Sequence, residues 1–207
     1  TRTTGDMIEA ALCAGSCAVG AEALPVGVIP TPALAWLTRE YGADASAMIS
    51  ASHNPMAYNG IKLFSGDGYK LPDRLEDQIE AIVRGTQHTI DLPDGAGIGT
   101  IRRLEGAASD YISYILTTLD TRLDGIRAAV DCANGAASVT APEAMRRLGV
   151  NLQVIHHELG GLNINDHCGS THMEDLIALV KQGNVDIGLA FDGDADRLLA
   201  VDENGEL

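Results

Sequence analysis

Apolar positions along this chain fall into two alternating rhythms. Short unbroken runs rich in Val, Ile and Ala read as strands, and longer stretches with apolar residues three or four apart read as amphipathic helices. Gly5 to about Gly20 predicts a helix with Met7, Ile8, Ala11 and Leu12 as its buried stripe. Val26 to Ile29 predicts a strand stopped by Pro30. Pro32 to Tyr41 predicts a helix with proline in its first turn and Gly42 as its stop signal, and Ala47 to Ser50 a buried strand. Ile61–Phe64 and Tyr69–Leu71, on either side of Gly66-Asp67-Gly68, predict a hairpin. Asp73 to Val83 predicts a helix with Leu75, Ile79, Ile82 and Val83 turned inward. Between Gly85 and Gly99 the chain is rich in Gly, Pro and Asp, which suits a connection better than packed structure.

The alternation then resumes. Ala107 to Leu119 reads as a helix, and Ile126 to Asp131 as a strand ending in Cys132-Ala133-Asn134-Gly135. That turn opens a helix running through Ala141 to Leu148, and a plain strand-to-helix turn is favoured there over a phosphate cradle. Val150 to Ile155 is the next strand. Met173 to Lys181 is a helix with Glu174 and Asp175 where its dipole favours negative charge, and residues 185–191 form another strand. Strands alternating with helices predict an α/β protein: two consecutive α/β domains with mixed, largely parallel sheets flanked by helices. The cut falls near residues 95–105, giving domains 1–100 and 101–207.

Composition narrows the function classes. The 207 residues carry 14 basic and 29 acidic side chains, a net charge of −15, which argues against nucleic acid as a partner. No apolar run is long enough to span a membrane. The four cysteines lack C-x-x-C spacing and are expected to be reduced thiols, mostly buried, as in a cytoplasmic protein.

Two segments carry the chemistry. Asp192-Gly193-Asp194-Ala195-Asp196-Arg197 places carboxylates at every second residue between two apolar runs. On a regular strand these charges would stack on one side; a loop around a cation converges their oxygens, and an all-oxygen set suits Mg²⁺ or Ca²⁺. An EF-hand is excluded because Arg197 stands where its loop needs Gly and because the flanks read as strands rather than helices. Ser52-His53-Asn54-Pro55 follows the carboxyl end of a predicted strand, where open α/β sheets place their ligands. A hydrolase triad there is weak: neighbouring residues on an extended loop point apart, and no Gly-x-Ser-x-Gly elbow surrounds Ser52.

Taken together, Ser50-Ala51-Ser52-His53-Asn54-Pro55, Asn59-Gly60-Ile61-Lys62 and the Asp192–Arg197 segment resemble the α-D-phosphohexomutase superfamily. Gly161-Leu-Asn163-Ile-Asn165-Asp-His-Cys168-Gly-Ser170-Thr171-His172, and the alanine at 195, are similar to its bacterial phosphoglucosamine mutase branch. So is Thr1-Arg2-Thr3-Thr4-Gly5, which matches the tail of a family Asp-Thr-Arg-x-Ser-Gly segment with Thr4 in the serine position. The resemblance runs along essentially the whole chain. It implies a phosphoserine enzyme in which Ser52 carries a phosphoryl group and Mg²⁺ is held by a phosphate oxygen and by Asp192, Asp194 and Asp196. The implied reaction interconverts glucosamine 6-phosphate and glucosamine 1-phosphate through a bisphosphorylated sugar, with a hexosamine phosphate as the small-molecule partner. A cytoplasmic location is expected, and the sequence leaves the oligomeric state open, with a homodimer of the full-length protein as one option.

Phosphoserine would add about −1.5 to −2 of charge to three aspartates, so basic groups must offset the cluster. Arg197, Lys62 and Arg2 are the ones beside the motifs, and Arg197 suits a bidentate phosphate contact. By family pattern Lys62 is also a candidate general acid or base, with His53 second. Full-length relatives carry two further domains, so the chain is expected to be an N-terminal fragment without turnover of its own. Two alternatives stay open: a sibling acting on glucose or mannose phosphates, and a non-catalytic α/β module that binds a divalent cation.

Overall fold

A computed structural model describes residues 1–86, 90 and 92–207. Among the described residues the order of elements is α1 (Gly5–Ala18), α2 (Thr31–Glu40), β1 (Ala45–Ile49), β2 (Ile61–Ser65), α3 (Asp73–Val83), α4 (Ala107–Thr117), β3 (Arg127–Asp131), α5 (Ala137–Arg147), β4 (Asn151–Ile155), α6 (Glu174–Val180), β5 (Ile187–Phe191) and β6 (Leu198–Val201). Short 3-10 turns lie at Gly95–Gly97 and Gly169–Thr171.

The second half is the more regular. Its sheet runs β4-β3-β5-β6, with β3 parallel to both β4 and β5 and with β6 returning antiparallel to β5. Parallel strands must be covered on both faces. One face packs Ala129, Ala190 and Val201 against Met173, Leu176 and Val180 on and beside α6. The other packs Val130 against Ala137 and Ala141 of α5, with Leu189 and Phe191 beside them. Pro142 lies within α5 without breaking it, five residues past its first residue, and is buried.

In the first half, β1 and β2 form an antiparallel pair in which Met48 faces Lys62 and Ile49 faces Ile61. Its core joins Ile29, Ala33, Leu34, Leu37, Met48 and Phe64 with Ala107 at the start of α4. The helix α4 thus serves both halves: Tyr114 stacks on Trp36 of α2 with ring centroids 4.6 Å apart, and α4 also packs on α5.

Several local expectations need correction. Val26–Ile29 is not a strand; Gly27 adopts φ +74°, which breaks the extended run, and only Ala23 bridges in parallel to Ile101. The predicted hairpin does form, but its second arm is short: Phe64 bridges Lys70, and the amides of Ser65 and Leu71 donate to the carbonyls of Tyr69 and Leu63 at 2.9 Å each. The apolar stripes of α1 and α3 are real in spacing but contain no buried residue; Met7 is 67% exposed and Val83 81%. The Gly85–Gly99 connection falls partly outside the described residues. The cysteines form no disulfide: Cys132 and Cys168 are buried, which pushes each thiol up to about 12, and Cys13 and Cys17 are half-buried.

Within the second half, the turns after β3 and β5 touch backbone to backbone. The amide of Ala136 donates to the carbonyl of Gly193, and a Cβ on Gly135 would lie 2.3 Å from that same oxygen. Neither partner is a flexible side chain that could yield. We expect Gly135→Ala to lower stability by about 1–3 kcal/mol through forced displacement of the Gly193 turn. By contrast, Gly15→Ala, in the interior of α1 with open space around it, should raise stability by about 0.5–1 kcal/mol. Urea unfolding midpoints of the two variants check both signs.

Candidate active site

The acidic loop is the hairpin turn between β5 and β6, and its oxygens converge. One ligand atom from each of Asp192, Asp194 and Asp196 lies within 4.8 Å of the other two. Asp192 and Asp194 are buried, at 1% and 2% exposure, and Asp196 is more open. Like charges this close repel unless something positive stands among them. Two side chains do so. Lys62 reaches up from β2 to within 2.7 Å of Asp194 Oδ2 and 2.8 Å of Asp196 Oδ2. Arg197 folds back on its own loop, with Nε 3.2 Å and an Nη 2.9 Å from Asp192 Oδ2, while its backbone amide donates to Asp192 Oδ1.

These contacts move the titrations. Burial works against the charge of Asp194, but hydrogen bonds from Lys62, Thr31 and Ser50 and the field of Lys62 outweigh it, so its carboxyl lies below the ordinary value. Burial likewise works against the Lys62 ammonium, and the bonds to Asp194 and Asp196 more than compensate, raising its pKa.

Ser52 arrives from the other half of the chain. It follows β1 in a turn in which its own φ is +52°, a left-handed conformation costing a non-glycine residue about 1–3 kcal/mol. Its amide donates to Ser50 Oγ at 2.8 Å. Its hydroxyl donates to Asp192 Oδ2 at 2.6 Å and accepts from Arg197, which also contacts His53 Nδ1. Ser52, His53, Lys62, Arg197 and the three aspartates are therefore brought to one place.

Arg2 belongs to the same assembly in a different position. It is 5% exposed, beneath the serine loop, where it donates to the carbonyls of Ser52 (3.0 Å) and Asn54 (2.7 Å). Burial pulls its pKa down, against the fields of Asp194 and Asp192. Two further residues went unread in the sequence. Thr31, at the start of α2, donates its hydroxyl to Asp194 Oδ2 at 2.8 Å and its amide to the Asp194 carbonyl at 2.8 Å. The signal was the Pro30-Thr31-Pro32 helix start, which reads only as a cap. Asn165 donates Nδ2–H to the carbonyls of Ser52 (2.9 Å) and Asn54 (3.0 Å). In sequence it lies within the Gly161–His172 stretch, where no local pattern marks one asparagine as a site residue.

The donors fit a hard divalent cation. They are all oxygens, they are held by a preformed loop, and Asp194 Oδ1 is buried without any hydrogen-bond partner, an unsatisfied acceptor of the kind a cation would meet.

Comparison with known proteins identifies the family. The model of phosphoglucomutase/phosphomannomutase α/β/α domain I matches residues 1–89, and that of domain II matches residues 109–205. The chain belongs to the phosphoglucomutase/phosphomannomutase family. Among this family's curated proteins, the phosphoglucosamine mutase of Ruminiclostridium cellulolyticum is 53% identical over 207 residues, all of this chain and 46% of the relative. That of Clostridium acetobutylicum is 54% identical over the same span and the same share. The chain thus spans about half the length of the curated relatives it matches. Among solved structures, a phosphoglucomutase/phosphomannomutase family protein from Burkholderia thailandensis superposes with a TM-score of 0.82 at 28% identity, covering 99% of this chain and 45% of that one. A putative phosphomannomutase from Thermus thermophilus shares the fold at a TM-score of 0.81, with 24% identity over 99% of this chain and 47% of that one. The two-domain α/β class read from the strand and helix alternation is therefore the fold of this family. No helix among the described residues is long and apolar enough to cross a membrane.

Lys62 occupies the cluster as a counter-ion. Its pair with Asp194 stabilises the folded chain above the ordinary carboxylate pKa of about 3.9 and fades as pH falls through the lower folded value of Asp194. It fades again as pH rises through a value above lysine's usual pKa of about 10.4. In chelator at neutral pH, Lys62→Ala should melt below wild type, and added divalent cation should raise its melting temperature by more than it raises that of wild type. The reason is that an entering ion no longer displaces an ammonium. Equal shifts in the two proteins would contradict the counter-ion role.

Proposed function

We propose that this chain forms the phosphoserine and metal-binding part of a phosphoglucosamine mutase, interconverting glucosamine 6-phosphate and glucosamine 1-phosphate. The observation that carries the reading is the 2.6 Å bond between Ser52 Oγ and Asp192 Oδ2, which joins a serine of the domain I match to the acidic loop of the domain II match. The substrate assignment rests on the phosphoglucosamine mutases that match the whole chain at 53–54% identity.

Asp192, Asp194 and Asp196, with an oxygen on Ser52, would hold Mg²⁺, whose charge when bound neutralises the oxygens of a transferring phosphoryl group. The chain's own side chains supply the rest. Ser52 carries the phosphoryl group; in transfer its Oγ–P bond breaks as a bond from phosphorus to a sugar hydroxyl forms, and the hydroxyl proton passes to a base. The reverse step returns the other phosphate of the bisphosphorylated sugar to Ser52. Phosphoryl transfer asks for positioning and charge neutralisation more than for covalent help. Arg197, whose guanidinium already touches Ser52 Oγ, offers a forked donor to the phosphoryl oxygens. Lys62, held as an ammonium, offsets the added negative charge and can supply a proton to the departing oxygen. His53, with Nδ1 on Arg197, is the other proton-carrying group at the site.

The full-length gene product tests this directly. It should convert glucosamine 6-phosphate into glucosamine 1-phosphate, carry one phosphoryl group on the Ser52 peptide, and fall to the no-enzyme rate as Ser52→Ala. A Ser52→Ala protein that keeps the wild-type rate would overturn the reading.

A further inference from the structure

Ser52 is held in a left-handed turn whose two flanking carbonyls are gripped from outside the loop. The outer side of its loop borders a cavity of about 300 Å³ whose lining includes Pro55 and Met56 of that loop and Ile164, Asn165, His167 and His172 opposite. Besides the bonds within the loop and those of the Ser52 hydroxyl, the turn is held by hydrogen bonds to two backbone carbonyls, those of Ser52 and Asn54. Each accepts one bond from the Arg2 guanidinium below and one from the Asn165 amide across the seam. Both hydrogens of one Asn165 nitrogen are spent on these two oxygens.

Asn165 is itself built to stay in place. It is buried at 8% exposure, and its φ of +57° is one that asparagine tolerates better than most residues. Its own amide donates to the carbonyl of Ala133 at 3.0 Å, in the turn that closes β3. Behind that turn lies Asp131, fully buried. Its carboxylate accepts from the amides of Ala133 and Gly169, at 2.8 and 2.9 Å, and lies 2.9 Å from His156 Nδ1. Both ends of the segment that carries Asn165 are thereby tied to the end of the parallel sheet. The amide also lies against the metal loop. A Cβ on Gly193 would sit 2.8 Å from Asn165 Nδ2 and 2.7 Å from the Ser52 carbonyl oxygen, so the serine loop, Asn165 and the acidic loop are in direct contact.

We propose that Asn165 is a positioning residue for the nucleophile: it clamps the Ser52 loop from the second domain and holds the serine hydroxyl in register with the aspartate loop. It touches neither the hydroxyl nor the cation ligands' oxygens through a hydrogen bond of its own, so it acts through Ser52. The role completes a reciprocal arrangement, since Thr31 of the first domain grips Asp194 of the second through side chain and backbone. The consequence for turnover rests on the phosphoserine reading above; the clamp itself does not.

Two readouts on the full-length gene product separate these. Asn165→Gly keeps the backbone free to adopt the left-handed turn while removing both donors, and Asn165→Asp keeps the shape while turning a carboxylate toward two carbonyls. In hydrogen exchange, the amides of the 51–56 loop should exchange faster in both variants, with β3 and α6 unchanged. In kinetics, kcat should fall by about 10²-fold, the scale of a small misplacement of a reacting group, with KM and Mn²⁺ affinity unchanged and Asn165→Asp the worse of the two. Unchanged exchange in the 51–56 loop overturns the clamp whatever happens to the rate. Faster loop exchange with wild-type kcat also overturns the positioning role. A Ser52→Ala control that stays fully active would instead sink the phosphoserine reading, and the exchange experiment would still decide the clamp.

Discussion

Everything at this site follows from the repulsion among three carboxylates confined to one hairpin turn. Asp192, Asp194 and Asp196 lie within a few ångströms of one another, two of them buried, and such a cluster exists only while positive charge stands inside it. The fold answers by sending Lys62 from β2 and turning Arg197 back onto its own loop. Both cations neutralise the aspartates, and Arg197 reaches the serine hydroxyl as well. Because Lys62 and Ser52 come from the first half of the chain, neutralising the acidic loop and delivering the nucleophile are one structural event.

That coupling explains the character of the seam. It is polar, and its bonds are short and specific: Thr31 to Asp194, Ser52 to Asp192, Asn165 to the Ser52 and Asn54 carbonyls. At the seam a Cβ on Gly193 would lie 2.7 Å from the Ser52 carbonyl oxygen, and behind it, within the second half, Gly135 packs on the same Gly193 turn. Hydrophobic contact supplies the adhesion further out, where α4 packs on both α2 and α5. The site therefore sits at the carboxyl ends of strands from both halves, the position that open α/β sheets offer to ligands.

How far the sequence showed this depended on the range of the interaction. Elements whose signals are local were legible: the Asp73–Val83 helix has the bounds its pattern implied, and β3, β4 and β5 lie within the apolar runs that announced them. The acidic loop was legible because same-sign charges at every second residue have few stable explanations. What failed needed knowledge of partners. Val26–Ile29 looks like a strand until Gly27 turns it, and the apolar stripes of α1 and α3 look like core until the neighbours needed to bury them are sought. Thr31 and Asn165 were illegible as site residues because each acts on a loop more than 100 positions away. Arg2 was readable as a basic group near the motifs, but its burial under the serine loop was not.

The most direct measurement is the electron–nuclear double resonance spectrum of Mn²⁺ bound to the full-length gene product phosphorylated on Ser52. A single bound ion should show a phosphorus coupling of the size produced by a directly ligated phosphate oxygen, and the coupling should vanish in Ser52→Ala while the ion stays bound to the aspartates. A bound ion with no phosphorus coupling in the phosphorylated protein would mean that the hydroxyl of residue 52 and the acidic hairpin do not share a cation, contradicting the account at its root.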